Sequence, residues 1–204
     1  MPAVFVGHGS PMIAVENNSL TEGLKETGKM ILSEYGKPKA ILAIKDLHAE
    51  VDNTWGIDHG TWTPLVHMFP EADIPIVQLS VSTTAGPQDA YELGKLLAPL
   101  REEGYVILGS GNTVHNLGQV NWRNPNGTKE TVDFDNYILD CILRRNDASV
   151  IHYDTRPEAD YAVPTPEHFL PLLYILGASE GEKPFVFNHE CNLGAIAMTS
   201  YLFG

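Results

Sequence analysis

Cysteine is scarce in this chain. Cys141 and Cys191 are the only two in 204 residues, too few for a disulfide framework, which points to a reduced compartment. No charged-then-apolar leader with a small-residue cleavage site opens the sequence, so a cytoplasmic protein is expected. Long apolar runs are missing too: none approaches the roughly 18 residues that a membrane span needs, and no membrane partner is expected. Basic charge is in short supply, with 13 Lys and Arg against 26 Asp and Glu and a net charge of −13. Such a surface repels phosphate backbones, which excludes nucleic acid as a partner. Repeats, low-complexity tracts and linkers are absent, so residues 1–204 read as a single domain. With 43% hydrophobic and 19% charged residues, the chain can bury a core without staples. A small molecule is the partner left, and a homo-oligomer is compatible with this composition.

What is present is a recurring arrangement. Ala3-Val4-Phe5-Val6 runs into Gly7-His8-Gly9-Ser10-Pro11-Met12, which reads as a buried strand whose carboxyl end delivers an imidazole. A helix follows from Ser19, read as its cap, to Glu34. Ala40 to Ile44 is a second strand, and Gly56-Ile57-Asp58-His59-Gly60-Thr61-Trp62 is another glycine-bracketed histidine loop leading into a helix, with Thr61 or Thr63 as cap. Ile74 to Val81 is a third strand and Pro87 to Glu103 a helix. Tyr105-Val106-Ile107-Leu108 then feeds Gly109-Ser110-Gly111-Asn112-Thr113-Val114-His115-Asn116. A helix from about Asp133 to Arg145 carries Cys141 on its apolar side. Thr165 and Pro166 open a helix with His168 in its first turn. Phe185 to Phe187 and Ala195 to Phe203 read as a closing pair of strands. The fold class is α/β: a mostly parallel central sheet flanked by helices, with a C-terminal strand pair. Parallel strands share their carboxyl edge, so His8 and His115 are expected to converge there.

Four histidines, His8, His59, His115 and His168, lie in loops or at helix starts beside glycine or proline. His67 and His152 sit inside regular structure and His189 among polar neighbours, which suits structural or surface roles. Three neutral imidazoles in one crevice suit a divalent ion such as Fe(II) or Zn(II). Asp58 and Glu167, each directly before a histidine, can serve as carboxylate ligands or as acceptors that orient a ring. Equally, each imidazole can simply satisfy its own loop. Ser10 and Ser110 raise nucleophilic catalysis as an alternative, although neither has the Gly-x-Ser-x-Gly frame. The glycines around Ser110 can cradle phosphate, yet no lysine follows in the position that such a loop requires.

Taken together, Gly7 to Met12, Gly56 to Trp62, Gly109 to Leu117, Pro164-Thr165-Pro166-Glu167-His168-Phe169-Leu170-Pro171-Leu172-Leu173 and Ala197-Met198-Thr199-Ser200-Tyr201 resemble the class III extradiol ring-cleaving dioxygenases, within them the 4,5-DOPA extradiol dioxygenase-like proteins. The resemblance implies ring opening of a catechol, DOPA-like or another small aromatic diol, with O2. It implies Fe(II) for activity and Zn(II) as an ion found on isolation. His8 and His168 are the implied metal ligands. His115 is implied as catalytic acid/base or as lying against the metal, and His59 as a histidine of the substrate pocket; Ser10 and Asn116 are further candidates for substrate contact. Two family motifs are missing, one of them an aromatic-rich loop ending Gly-Phe-Pro that helps form the pocket. The second strand should continue into Ser-x-His-Trp, whose histidine is a ligand, whereas Ile44 is followed by Lys45-Asp46-Leu47-His48-Ala49-Glu50. His48 is a weak substitute. A deletion and a degenerate family member both fit this gap, but the abrupt join reads best as a segment left out, with Ile44 and Lys45 expected to lie far apart in space where a peptide bond spans about 1.33 Å. A metal-dependent hydrolase and a non-catalytic metal- or small-molecule-binding remnant of the family are the competing readings.

Overall fold

The fold was analysed in a computed structural model that describes residues 1–45, 56–81 and 85–204. The apolar runs form the strands β1 (Ala3–Gly7), β2 (Ala40–Lys45), β3 (Ile76–Ser80) and β4 (Tyr105–Gly111). These four pair in parallel. The tail contributes β5 (Phe185–Phe187) and β8 (Ser200–Phe203), giving one six-stranded sheet in the order β3-β2-β4-β1-β8-β5. β8 runs antiparallel to both β1 and β5. Two short strands, β6 (Cys191–Asn192) and β7 (Ile196–Ala197), form a separate antiparallel pair. The α/β architecture and the C-terminal strand pair expected from the sequence are both present.

Alternation along the strands fills two cores. Side chains of successive strand residues face opposite sides, and Val4, Val6, Ile41, Ala43, Val106 and Leu108 pack with Leu20, Leu24 and Ile31 of α1 (Ser19–Glu34) and Leu65 and Met68 of α2 (His59–Met68). Ala3, Phe5, Ile44 and Ile107 face the other core, formed with α3 (Pro87–Leu97), α5 (Lys129–Leu143) and α8 (Leu170–Ala178). Every residue of α8 is buried, as expected for a helix that is apolar all round. Three short helices complete this layer: α4 (Pro99–Glu102), α6 (Asp147–Ile151) and α7 (Ala159–Ala162).

Several boundaries differ from the sequence-based expectation. α1 is capped by Asn18, whose side chain accepts from the Thr21 amide in a capping box, so Ser19 is already helical. Asp58, not Thr61 or Thr63, caps α2, which makes His59 its first residue. The helix expected from Pro87 to Glu103 ends as α3 at Leu97, and α4 begins at Pro99, because proline has no amide to continue the ladder. α5 starts at Lys129 with Thr128 as cap, one turn before Asp133. Pro166–His168 is a separate 3-10 turn ahead of α8, and the Thr165 side chain caps nothing. The position after Ile44 where a break was expected falls inside β2, with Ile44 opposite Leu79 and Lys45 opposite Ser80. His48 lies outside the described residues.

Candidate active site

The carboxyl end of β1 delivers His8, whose amide donates to the Gly111 carbonyl at 3.2 Å. The neighbouring strand β4 ends in Gly109-Ser110-Gly111, and its alternation assigns the three residues to different faces. A Cβ on Gly111 would lie 2.0 Å from the His168 carbonyl oxygen, and one on Gly109 would lie 2.8 Å from that of Pro171. The two glycines therefore let the backbone entering α8 lie directly on the strand. The Asn112 amide donates to the same His168 carbonyl at 2.8 Å, which fixes His168 against β4. Ser110 faces the opposite way. It is 1% exposed, and its hydroxyl lies 3.0 Å from His8 Nδ1 and against the Gly60 carbonyl.

These supports bring the four framed histidines into one row. The His8 ring lies 6.0 Å from His59 and 5.3 Å from His168, centroid to centroid, and His168 stacks on His115 at 3.7 Å with only 6° between planes. His8 is buried, His115 and His168 are half-buried, and the His59 side chain is 45% exposed. The row thus opens to solvent at His59. Asp58 stands behind that residue: its carboxylate accepts from the Gly60 amide at 2.8 Å and lies 3.4 Å from His59 Nδ1. Its own amide donates to Gln78 Oε1 on β3. The His115 amide donates to the Ala162 carbonyl, and His115 bridges to Ile196.

Geometry separates candidate metal ligands from the rest. An imidazole nitrogen bound to a divalent ion sits at about 2.0–2.1 Å, which puts its ring centroid roughly 3.2 Å away, so two rings sharing an ion have centroids up to about 6.4 Å apart. The tilted His8–His168 pair fits this test. The His115–His168 pair does not, because ring lone pairs lie in plane and those of two parallel stacked rings cannot meet at one ion. The expected triad of His8, His115 and His168 is therefore not assembled as a ligand set, and among the described residues no three His, Cys, Asp or Glu side chains form a group that could hold a metal ion. Glu167, half-buried beside His168, forms no such group either.

Ser10 and Asn116 each make a local hydrogen bond. Ser10 is exposed and its hydroxyl accepts from the Met12 amide at 3.3 Å, capping the 3-10 turn Pro11–Val15. The Asn116 side-chain amide donates to the Tyr161 carbonyl at 2.7 Å, so it braces the loop beyond His115. Ser110 is not placed as a nucleophile, since it is buried and its single proton goes to Gly60. Among the remaining histidines, the buried ring of His67 bonds the Ile13 carbonyl through Nε2 at 2.8 Å. His152 is exposed just past α6. His189 is exposed, as expected, and its Nε2 lies 3.6 Å from Asp135 Oδ2.

Asp135 escaped sequence reasoning altogether. It is 1% exposed on α5 and accepts from Thr113 at 2.5 Å and Thr199 at 2.6 Å. Burial raises its pKa above the ordinary carboxylate value, and the two hydroxyls and His189 pull it back. The one available signal was its position on the apolar side of α5, in step with Phe134, Ile138 and Ile142. Through Thr113 and Thr199, Asp135 ties the loop carrying His115 to the approach to β8.

Residues 21–204 match the family described as the catalytic LigB subunit of aromatic ring-opening dioxygenase. The chain belongs to this family. A LigB relative from Escherichia coli K12, named 4,5-DOPA dioxygenase extradiol, is 30% identical over 257 positions that cover 100% of this chain and 95% of the relative. A Beta vulgaris protein of the same name is 35% identical over 185 residues, covering 82% of this chain and 66% of that protein. A crystal structure of an uncharacterized protein from E. coli K12 superposes with a TM-score of 0.86 at 29% identity, covering 100% of both chains. The 257 aligned positions exceed the 204 residues here by 53, so this LigB member is shortened internally relative to the bacterial enzyme. The surplus is in keeping with the family motifs missing after Ile44.

Proposed function

We propose that this LigB member opens the ring of a catechol with O2, using a divalent ion held by His8 and His168. The observation that carries this reading is the row of four imidazoles at the carboxyl edge of the parallel strands. Two donors of the right type and spacing fit Fe(II) as the active ion and Zn(II) as an ion retained on isolation. When bound, the ion supplies a positive centre that gathers the two catechol oxygens and O2, which removes much of the entropic barrier to their meeting.

The chain's own side chains supply proton transfer and orientation. Opening the ring beside a hydroxyl consumes one O2 and leaves an aldehyde and a carboxylate, so phenolic protons must be moved. His115 is our candidate for that role. It lies against His168, within reach of anything that His168 touches, and is not used as a ligand. A histidine titrates near neutrality in its ordinary state, which suits it to this step. His59, at the open end of the row and backed by Asp58, is assigned to the substrate: its Nδ1–H faces the carboxylate and Nε2 is left for a catechol hydroxyl. Burial of His8 keeps water from the inner end of the row.

The test is anaerobic loading with Fe(II), then addition of catechols and O2, with oxygen uptake and the yellow semialdehyde as readouts. His115→Ala should lower turnover by about 10²–10⁴-fold while bound iron stays near the wild-type level. Full iron occupancy without oxygen uptake across a catechol panel would refute ring opening. Zn(II)-supported hydrolysis that ignores O2 would favour a hydrolase instead.

A further inference from the structure

Among the described residues, Ser110 has two polar neighbours for its one hydroxyl proton. One neighbour, the Gly60 carbonyl, can only accept. The proton must therefore go to Gly60, and the Ser110 oxygen accepts from the other neighbour, His8 Nδ1, at 3.0 Å. A ring nitrogen that donates carries hydrogen, so neutral His8 has its lone pair on Nε2. In water a free histidine favours the opposite arrangement, with hydrogen on Nε2. Among the described residues Ser110 has no other outlet, since it is 1% exposed and held on β4 between Gly109, pressed against the first turn of α8, and Gly111, pressed against the His168 carbonyl.

We propose that Ser110 is a positioning residue that locks His8 in the Nδ1–H form and aims its Nε2 lone pair into the histidine row. The same hydroxyl joins β4 to the first turn of α2, so the orientation of His8 is coupled to the loop bearing His59. The consequence for metal binding rests on the reading of His8 as a ligand; the assignment of its protonated nitrogen does not. A second partner that fixes ring orientation typically changes metal affinity by 10–100-fold.

Two measurements separate these statements. In the metal-free, ¹⁵N-labelled protein, long-range ¹H–¹⁵N correlation spectra report which nitrogen of each histidine carries hydrogen, with His8 assigned by its loss in His8→Gln. Wild type should show hydrogen on Nδ1 of His8, Ser110→Thr should keep it, and Ser110→Ala should move it toward Nε2. Hydrogen on Nε2 in wild type, or an unchanged pattern in a folded Ser110→Ala, would overturn the proposal. The wild-type spectrum decides the matter even if Ser110→Ala does not fold. Zn(II) affinity, measured by competition with a chelating dye, should fall 10–100-fold in Ser110→Ala and recover in Ser110→Thr. Equal affinity in all three proteins would overturn the coupling to the metal. A wild-type protein that binds no Zn(II) or Fe(II) would instead sink the metal-site reading, and the spectra alone would then decide the role of Ser110.

Discussion

Gly111 shows how much one missing side chain contributes to the site. The His168 carbonyl passes over it so closely that an added Cβ would sit 2.0 Å away, and backbone cannot swing aside as a flexible side chain can. Gly111→Ala should therefore push His168 off β4, lowering stability by about 1–3 kcal/mol, measurable by urea unfolding, and weakening Zn(II) binding. Cys191 makes a contrasting prediction. Burial, with the nearby Asp135 and Glu190 carboxylates, pushes its thiol up to about 12, and burial raises Cys141 as well. At pH 8 the Cys191 thiolate should be roughly a thousandfold scarcer than in an ordinary thiol, which ionises near 8.5. Iodoacetamide should then label it correspondingly slowly in the native protein and at the normal rate after unfolding, as mass spectrometry would show. At this scale the glycine-framed histidines were legible in the sequence, because glycine beside a polar strand end marks close backbone approach. The contact between Ser110 and His8 was not, since 102 positions separate them and no local pattern records the pairing.

Among the elements, α5 makes the least obvious contribution. An amphipathic helix would ordinarily keep its carboxylates in water, yet Asp135 turns inward to hold Thr113 beyond β4 and Thr199 before β8. Because its folded pKa is raised, Asp135 keeps its proton at pH values where the unfolded chain has released it. Its contribution to stability is complete below the ordinary carboxylate value of about 3.9 and is lost as pH rises through the raised folded value. Asp135→Asn cannot ionise. The stability difference, wild type minus variant, should therefore decline across that window by at most about 1.4 kcal/mol per pH unit and then level off. Denaturant titrations at several pH values would show it, and a difference that rises with pH would contradict the sign. Strands and helices were readable from periodicity because both cores impose it. Caps and helix ends were less so: Asp58 preempts Thr61 and Thr63 through a bond to the Gly60 amide, and choosing among neighbouring cap residues depends on how the incoming chain packs.

For the whole molecule, β1–β4 run parallel and so gather His8 and the approach to His115 at one edge, while the connections on both faces bring in His59 and His168. That convergence follows from strand order β2-β4-β1, which places the first and fourth strands side by side. Order of this kind was implied by a parallel sheet but not specified by it, and the stacking of His115 on His168 depends on side-chain packing that no spacing rule encodes. The row also couples binding to folding, because its members come from four separate segments that only the native fold unites. An ion bound by the native state alone stabilises it by about 2.7 kcal/mol at a concentration one hundred times its Kd. For a chain of this size that corresponds to a rise in Tm of roughly 5–10 °C. Saturating Zn(II) should produce such a rise in wild type, and a chelator should reverse it. His8→Ala and His168→Ala should each abolish the rise, whereas His115→Ala should retain it, because a ring stacked flat on a ligand contributes no lone pair to the shared ion. Differential scanning calorimetry of the four proteins, with and without Zn(II), would decide between a two-histidine site and the three-histidine set that the sequence suggested.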